Sequence, residues 1–421
     1  MTRDGPAAIL FLGNYRPTIS LVRDLKRVGY LTIVGRGGGE GGAEYSRFAD
    51  EVWDHPELER GGEAFLAVLR AFLERRPDVR VVFPVAESFV RIVSAARDRL
   101  PADRIYAVPP PDVVATALDK MAMWRLAQSL GVPVTPYMLA ASDDELRGGC
   151  AELGYPVVIR PVDSTRRLGD AKALIAGSAE ELARLLPEWP ADHRTVLLQR
   201  CASGPRHNVY FAARAGRLVR ILETVIERTD RPDDTGLAVE GTTAAPSPEL
   251  RRFTEDLVAA LRYSGVGCAQ FLVDRAAGQI AFLELNPRIA GSHAIAEAAG
   301  LELGLLSILL ATDDPPEVPF VEGAAGMVYA WTYGDMRGLL AAIAKGLPAR
   351  AAVRWGAHLL RALTRSPVHL TWRWDDPLPT FVLFAAKVPL LNRLVGRRIA
   401  APVASEPAAR TAAPKTRPAR V

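Results

Sequence analysis

Short apolar runs alternate with stretches of helical spacing over the first 110 residues. The runs 8–12, 31–34 and 79–84 have the length and composition of strands, and each is followed by apolar residues at intervals of three and four. Strands that alternate with helices are typical of βαβ units, which form parallel sheets. The pattern therefore predicts an α/β domain with a parallel sheet over residues 1–111.

Between residues 112 and 312 the pattern contains more strands. A helix is predicted over 112–130 and another over 292–310. Strands are predicted between them, at 157–160, 196–199, 209–213, 218–226, 268–273 and 280–285. A strand-rich segment of about 200 residues with helices on its faces is typical of an α+β domain.

The last part of the chain differs in charge. Residues 336–421 hold 15 Lys and Arg against 3 Asp and Glu, whereas residues 1–335 hold 37 against 45. Prolines interrupt the helical patterns up to residue 400, and the remaining residues are rich in Ala, Pro and Arg. We therefore predict a basic helical region over 313–400 and a disordered tail over 401–421.

Two interpretations of this basic region stay open. The segment 378–398 is apolar with basic residues at intervals, and Trp372 and Trp374 precede it. Such a segment can lie on an anionic membrane surface, or it can pack on the rest of the protein with its arginines outward. No nucleic-acid-binding module is recognisable, so we expect no nucleic-acid partner.

Composition narrows the class of protein. The chain has 421 residues, of which 49% are hydrophobic and 24% charged, which indicates a folded protein with more than one domain. Three cysteines, Cys150, Cys201 and Cys268, give no disulfide framework. No apolar stretch reaches the roughly 18 residues of a membrane-spanning helix. We expect a cytoplasmic protein, with contact at the inner membrane face as an option.

The strongest chemical signal lies on the last two predicted strands. Gln270 is on the first strand, and Glu284 and Asn286 are on the second, within the run Glu-Leu-Asn-Pro-Arg. Because residues two apart on a strand point to the same face, these three oxygen-bearing side chains are expected together. One carboxylate with two amide oxygens suits Mg²⁺. Arg288 adds a cation two residues on, suited to a phosphoryl group.

These residues resemble the metal-binding end of ATP-grasp enzymes. The combination and spacing of Gln270, Glu284 and Asn286 are most similar to those of the carbamoyl phosphate synthetase large subunit, and the likeness extends over 265–300. A broader similarity covers roughly residues 7–312. The resemblance implies a Rossmann-like pre-ATP-grasp domain over 1–111 and an ATP-grasp domain over 112–312. It also implies ATP with Mg²⁺ or Mn²⁺ as cofactors.

The resemblance assigns roles to four residues upstream. Asp119-Lys120 is expected to open a helix, where Lys120 matches the basic residue that reaches the nucleotide phosphates. Arg160 matches the phosphate-contacting end of a strand. Gln199 lies on the hinge strand that faces adenine. His207 stands where an acidic residue often binds ribose. For His207 and for His293, an ordinary surface or hydrogen-bonded histidine is the favoured interpretation.

The implied function is that of an ATP-dependent carboxylate–amine ligase that works through an acyl phosphate, with Arg288 as a catalytic residue. Its partners would be a small carboxylate and an amine, and a homo-oligomer is an option. The loop 162–169 holds one glycine where the family usually has several. This departure motivates an alternative: an ATP-binding module with weakened catalysis, tethered to a membrane or a partner by its basic C-terminal region.

Two further segments receive an interpretation. Residues 227–243 are expected to set substrate specificity. Glu87-Ser88 follows a predicted strand, and we interpret it as an ordinary helix N-terminal cap in preference to a part of the cleft.

Overall fold

A parallel five-stranded sheet forms the N-terminal part of the computed structural model, which describes residues 7–37, 41–58, 62–162, 168, 173–186 and 195–386. Its strands are β1 (Ala8–Leu12), β2 (Leu31–Arg36), β3 (Glu51–Asp54), β4 (Val79–Pro84) and β5 (Ile105–Tyr106). The order across the sheet is β3-β2-β1-β4-β5, and all neighbours are parallel. The predicted parallel α/β architecture is confirmed.

Helices cover both faces of this sheet. They are α1 (Arg16–Arg27), α2 (Glu63–Arg75), α3 (Glu87–Ala95) and α4 (Pro111–Leu118). Alternate residues of β1 therefore enter two different cores: Ile9 packs with Ile19 of α1, whereas Leu10 packs with Phe65 of α2. Burial on both faces explains why this strand is apolar throughout.

The helix predicted over 112–130 is in fact two helices. The first, α4, ends at Leu118, and the second, α5 (Lys120–Ser129), begins two residues later. Asp119 caps the second helix, because its carboxylate accepts a hydrogen bond of 3.0 Å from the Ala122 amide. The prediction of one continuous helix from spacing was wrong, whereas the helix that the resemblance implied at Asp119-Lys120 is confirmed, with Lys120 at the first position of α5.

A small antiparallel sheet follows. It consists of β6 (Tyr137–Ala140), β7 (Val157–Pro161), β8 (Leu174–Ala176) and β9 (Val196–Arg200), in the order β6-β9-β7-β8. Two helices, α6 (Asp143–Leu153) and α7 (Ala179–Leu185), accompany it. Residues 163–167 and 169 of the glycine-poor loop lie outside the described residues.

The largest sheet holds eight strands. They are β10 (Arg206–Arg214), β11 (Arg217–Thr229), β12 (Ala238–Ala244), β13 (Gly265–Asp274), β14 (Gln279–Asn286), β15 (Val321–Glu322), β16 (Val328–Ala330) and β17 (Val368–His369). The order is β14-β13-β10-β11-β12-β16-β17, and β15 pairs with β11. The strands β10 to β14 pair antiparallel, as an α+β domain requires.

Each face of the large sheet has its own core. One face packs against α4, α5 and α8 (Pro248–Ala260). The other packs against α1 of the N-terminal sheet and against α9 (His293–Ala298) and α10 (Leu303–Leu309). The prediction of one helix over 292–310 was wrong, because the chain turns at Gly300, where φ is +87°.

The C-terminal region combines helices with strands. Its helices are α11 (Thr332–Ala344), α12 (Ala349–Arg365) and α13 (Leu378–Ala385), as the prediction of a helical region required. The strands β15, β16 and β17 were not predicted, and they attach this region to the large sheet. Residues 387–421, which include the tail, lie outside the described residues. The domain limits at 111 and 312 stay predictions.

No helix among the described residues has both the length and the apolar character needed to cross a membrane.

Candidate active site

Strand register brings the predicted metal-binding residues to one face of the large sheet. Gln270 of β13 lies directly opposite Glu284 of β14, and Asn286 is two residues further along β14. Asn208 of β10 lies on the other side of Gln270 in the same row. Four oxygen-bearing side chains therefore share this face, and Asn208 is the one that sequence reasoning missed.

A continuous line of contacts runs from α5 to the end of β14. The Lys120 ammonium lies 3.4 Å from Glu284 Oε2. The Asn286 amide donates a hydrogen bond of 3.0 Å to Glu284 Oε1, and the Arg288 guanidinium donates one of 3.3 Å to Asn286 Oδ1. The structure thus brings together Lys120, Glu284, Asn286 and Arg288, which the sequence analysis had assigned to one site.

The charges around Glu284 keep it ionised. Burial would raise the pKa of this carboxyl, but the opposite charge of Lys120, the amide of Asn286 and the charges of Arg160 and Arg288 outweigh burial and lower the pKa to about 2. The pKa of Arg288 is raised, because Tyr15, Glu87 and Glu284 together outweigh its burial. An ionised oxygen cluster beside fixed cations is therefore available for a metal–phosphate group.

A cavity opens beside this line of contacts. It is lined by Glu87, Ala117, Leu118, Lys120, Met123, Trp124, Leu283, Glu284, Leu285 and Asn286. Trp124 is held in place by a 2.8 Å hydrogen bond from its indole to the Leu283 carbonyl oxygen, and the Arg160 guanidinium lies 5.7 Å from its ring. An indole at this position gives the cavity an apolar wall.

Glu87 belongs to the cavity. It is the first residue of α3, and Ala86 occupies the N-cap position, so Glu87-Ser88 is not the cap that the sequence suggested. Its carboxylate Oε2 lies 3.8 Å from Arg288 Nη2, and its Oε1 lies 3.7 Å from Arg91 Nη2. The interpretation as a cap was wrong, because the helix begins at Glu87 itself, one residue earlier than a cap at Glu87 would require.

Arg160 and Gln199 meet on the small sheet. The Arg160 guanidinium donates a hydrogen bond to Gln199 Oε1, and the Gln199 amide donates one of 2.6 Å to the Thr135 hydroxyl. Burial lowers the pKa of Arg160, and the charge of Glu284 opposes this shift. Arg160 and Glu284 are therefore close enough to attract each other electrostatically, although they lie on different sheets.

His207 lies elsewhere. It neighbours Asn208 on β10, so its side chain points to the face opposite Gln270. The ring is buried, and its Nδ1 lies 2.6 Å from Glu223 Oε1. Glu223 also accepts hydrogen bonds from the amide and hydroxyl of Ser247. The structure does not bring His207 to the other predicted residues, and its role at ribose stays a prediction.

Two further arginines were not apparent from the sequence. The Arg16 guanidinium lies 4.1 Å from the Trp331 ring centre. It also lies against Gly291, where a side chain would clash, because a Cβ added to Gly291 would lie 2.4 Å from Arg16 Nη2. Arg206 donates to the Gly236 carbonyl oxygen. In the part of the chain that the structure describes, no carboxylate lies within 4.0 Å of either guanidinium. Burial lowers the pKa of Arg16 to about 10.

These two cations border the metal-binding face. The charges of both arginines oppose the rise that burial causes in the pKa of Tyr329, whose hydroxyl is buried. The Tyr210 and Ser292 hydroxyls share a hydrogen bond of 2.5 Å. Gly291 and Ser292 belong to the loop that follows Arg288. Only long-range packing reveals this basic group, because Arg16 is an unremarkable first-turn residue of a helix in the sequence.

The chain is similar to proteins of known function. Residues 119–315 match the family "Carbamoyl-phosphate synthase L chain, ATP binding domain". The carbamoyl phosphate synthase large chain of Pseudothermotoga lettingae is 30% identical over 48% of this chain and 19% of its own length. The D-alanine–D-alanine ligase of Laribacter hongkongensis is 30% identical over 45% of this chain and 63% of its own length. The chain thus spans about a fifth of the first relative.

A solved structure shares the fold. The biotin carboxylase domain dimer of the Hydrogenobacter thermophilus 2-oxoglutarate carboxylase, in complex with MgADP, ADP and bicarbonate, superposes with a TM-score of 0.60 and 16% identity. The match covers 77% of this chain and 74% of that one. Together with the site geometry, these similarities show that residues 119–315 are an ATP-grasp domain of the carbamoyl-phosphate synthase L chain type.

Proposed function

We propose that this protein is an ATP-dependent ligase that joins a carboxylate to an amine through an acyl phosphate. The observation that carries the proposal is the line of contacts from Lys120 through Glu284 and Asn286 to Arg288, with Gln270 beside it. Phosphoryl transfer needs positioning and charge neutralisation more than protein nucleophiles, and this arrangement supplies both.

The residues present fit Mg²⁺ or Mn²⁺. Gln270, Glu284 and Asn286 offer oxygen ligands on one face, and Glu284 is ionised. The Oδ1 of Asn208, buried in the same row, has no hydrogen-bond partner among the described residues. Gln270, Glu284 and Asn286 would hold the ion, which would supply positive charge that neutralises the phosphates of ATP.

The remaining residues of the site would hold the nucleotide. Lys120 and Arg160 would bind its phosphates, and Gln199 would contact the adenine, as in the family. Arg288 would hold the γ-phosphoryl group while an acceptor carboxylate oxygen bonds to its phosphorus and ADP leaves. The amine would then attack the acyl carbon, lose a proton and release inorganic phosphate. Trp124 would exclude water from one side.

The acceptor is proposed to be an acid held by Arg16 and Arg206. Both guanidinium groups are half-buried and donate to backbone carbonyl oxygens, so a bound carboxylate would supply the opposite charge that they lack among the described residues. Arg206 borders the segment 227–243, because it donates to Gly236. This neighbourhood supports the prediction that the segment sets specificity. As the solved relative is a dimer, a homo-oligomer remains a proposal here.

The test combines turnover with trapping. The full chain is incubated with ATP, Mg²⁺ and a panel of carboxylic and amino acids, and phosphate release is measured. Hydroxylamine is then added in place of the amine, because it converts an acyl phosphate to a hydroxamate. Hydroxamate formation that depends on one acid supports the ligase. Phosphate release that depends on bicarbonate alone would contradict it and indicate a carboxylase.

A second candidate function is an ATP-binding module at an anionic membrane. The observation in its favour is the surface of α12, where Val353 and Leu360 lie one above the other and are 73% and 62% exposed. Arg354 and Arg361 are exposed beside them. Apolar side chains flanked by arginines suit an interface with anionic lipid.

Vesicle sedimentation tests this candidate on the full chain, because the C-terminal region contributes buried residues such as Leu370 and should not be removed. Pelleting is compared for vesicles with phosphatidylglycerol and for pure phosphatidylcholine. Binding that is specific to the anionic vesicles and lost in Val353→Ser/Leu360→Ser supports the candidate. The control is Val28→Ser/Leu139→Ser, which changes exposed apolar residues elsewhere. Equal pelleting of both double variants contradicts it.

A further inference from the structure

His293, the first residue of α9, is buried and without a hydrogen bond. Only 1% of its surface is exposed, and neither ring nitrogen has a partner within the described residues. A surface or hydrogen-bonded histidine was expected at this position, and the structure contradicts both expectations. A fully buried imidazole with two unused nitrogens requires an explanation, because unsatisfied buried polar groups are rare in native proteins.

Two carboxylates face this imidazole. Glu297 lies one helical turn after His293, and its Oε1 is 3.4 Å from Nε2. Asp24, from α1 under the N-terminal sheet, places Oδ2 3.9 Å from the same nitrogen. The three ligand atoms all lie within 4.8 Å of one another. The group therefore joins two regions of the chain at one point.

The 3.4 Å between His293 Nε2 and Glu297 Oε1 matches the separation of two ligands in a metal site, and the 3.9 Å to Asp24 Oδ2 is slightly longer. Zinc–ligand bonds of about 2.0–2.2 Å place neighbouring ligands of a tetrahedral ion roughly 3.3–3.6 Å apart. Imidazole nitrogen with two carboxylates is a donor set for first-row divalent metals. Asp24 and Glu297 keep 23% and 18% of their side-chain surface exposed, so water can reach a fourth position.

The other contacts of the cluster leave the imidazole unpaired. Arg27 lies 3.6 Å from Asp24 and is largely in solvent, and the Gly304 amide donates to Glu297. Burial lowers the pKa of His293 to about 4, although Asp24 opposes this. Burial also raises the pKa of Asp24 to about 6 and of Glu297 to about 7. Without a cation, two partly exposed carboxyl groups face a fully buried ring that has no hydrogen bond among the described residues.

We propose that Asp24, His293 and Glu297 bind a divalent transition metal of the Zn²⁺ type at a site separate from the ATP site. None of the three residues belongs to the candidate active site described above. The ion would fasten α1 to α9, that is, the N-terminal sheet to the large sheet. Its role would be structural, with an open position occupied by water.

Metal titration of the full chain tests the proposal. Zn²⁺ is added in the presence of excess Mg²⁺, and binding is followed by calorimetry, with Co²⁺ as a second probe whose visible spectrum reports tetrahedral coordination. We expect one Zn²⁺ per chain and an increase in Tm on binding. Asp24→Asn and Glu297→Gln preserve shape and should each weaken binding by about tenfold or more.

Two controls separate this proposal from the proposed function. Asp313→Asn changes an exposed carboxylate outside the cluster and should bind Zn²⁺ as the parent protein does. Glu284→Gln should lose ATP turnover and keep the Zn²⁺ site. The proposal is overturned if the parent protein binds no Zn²⁺ above Mg²⁺, or if Asp24→Asn and Glu297→Gln bind it unchanged.

Discussion

The Lys120 ammonium lies 3.4 Å from Glu284 Oε2, although the two residues are 164 positions apart in the chain. The contact joins the start of α5 to the end of β14, on either side of the cavity. It depends on the helix break at Asp119, which turns Lys120 toward the sheet. We expect the ammonium to contact phosphate when nucleotide is bound, because it then meets a stronger acceptor.

Replacement of the central carboxylate should abolish turnover and preserve the fold. Glu284→Gln keeps the shape of the side chain but removes the charge that balances Lys120 and would bind the cation. We expect ATP-dependent phosphate release to fall by about 100-fold or more, with an unchanged circular dichroism spectrum. The matched control, Glu249→Gln, alters an exposed residue of α8 and should retain activity. Undiminished turnover of Glu284→Gln would contradict the site.

Removal of Arg16 should affect the acceptor and spare the nucleotide. If Arg16 holds the acid substrate, Arg16→Gln loses one charge-assisted contact worth about 1.5–3 kcal/mol. Steady-state kinetics should then show a KM for the acid raised about 10- to 100-fold, with the KM for ATP nearly unchanged. Arg70→Gln, an exposed change on α2, is the control. An effect of Arg16→Gln on the ATP KM alone would refute this assignment.

The sequence predicted those features that repeat over short distances. Period-two spacing placed Glu284 and Asn286 on one face, and the apolar run 8–12 indicated a strand. The helical spacing continues through the break at Asp119 and did not show it, whereas the resemblance implied a helix that opens at Asp119-Lys120. β12 was missed because Gly241 and its polar threonines weaken the strand pattern. The proximity of Asp24 to His293, and of Arg16 to Gly291, results from long-range packing that no local pattern reports.

Glu223 should contribute to stability in a pH-dependent way. Burial would raise the pKa of this carboxyl, but the hydrogen bonds from His207 and Ser247 outweigh burial and hold the pKa below its ordinary value of 4.5. Its contribution is therefore present above about pH 4.5 and is lost as the pH falls through the lower folded-state value. The difference in free energy of unfolding between the parent protein and Glu223→Gln should shrink from pH 6 to pH 3.

Urea denaturation at several pH values measures this difference. Glu249→Gln serves as the control, because its exposed carboxyl should give a difference that stays near zero throughout. A gap between the parent protein and Glu223→Gln that widens toward acid would show that the sign of the shift is wrong.

A buried ion pair should anchor the C-terminal region to the N-terminal sheet. Arg23 Nε lies 2.8 Å from Asp376 Oδ2, and both side chains are almost fully buried. Asp376 also accepts hydrogen bonds from the Ser46 hydroxyl and the Arg47 amide. Asp376→Ala leaves a buried guanidinium uncompensated, so we expect a loss of about 3–5 kcal/mol in the free energy of unfolding.

The neighbouring Asp375 is 43% exposed and pairs with Arg373 at the surface. Asp375→Ala should therefore cost less than about 1 kcal/mol. Equal destabilisation by the two variants in urea denaturation would show that the buried pair does not fasten the two regions together.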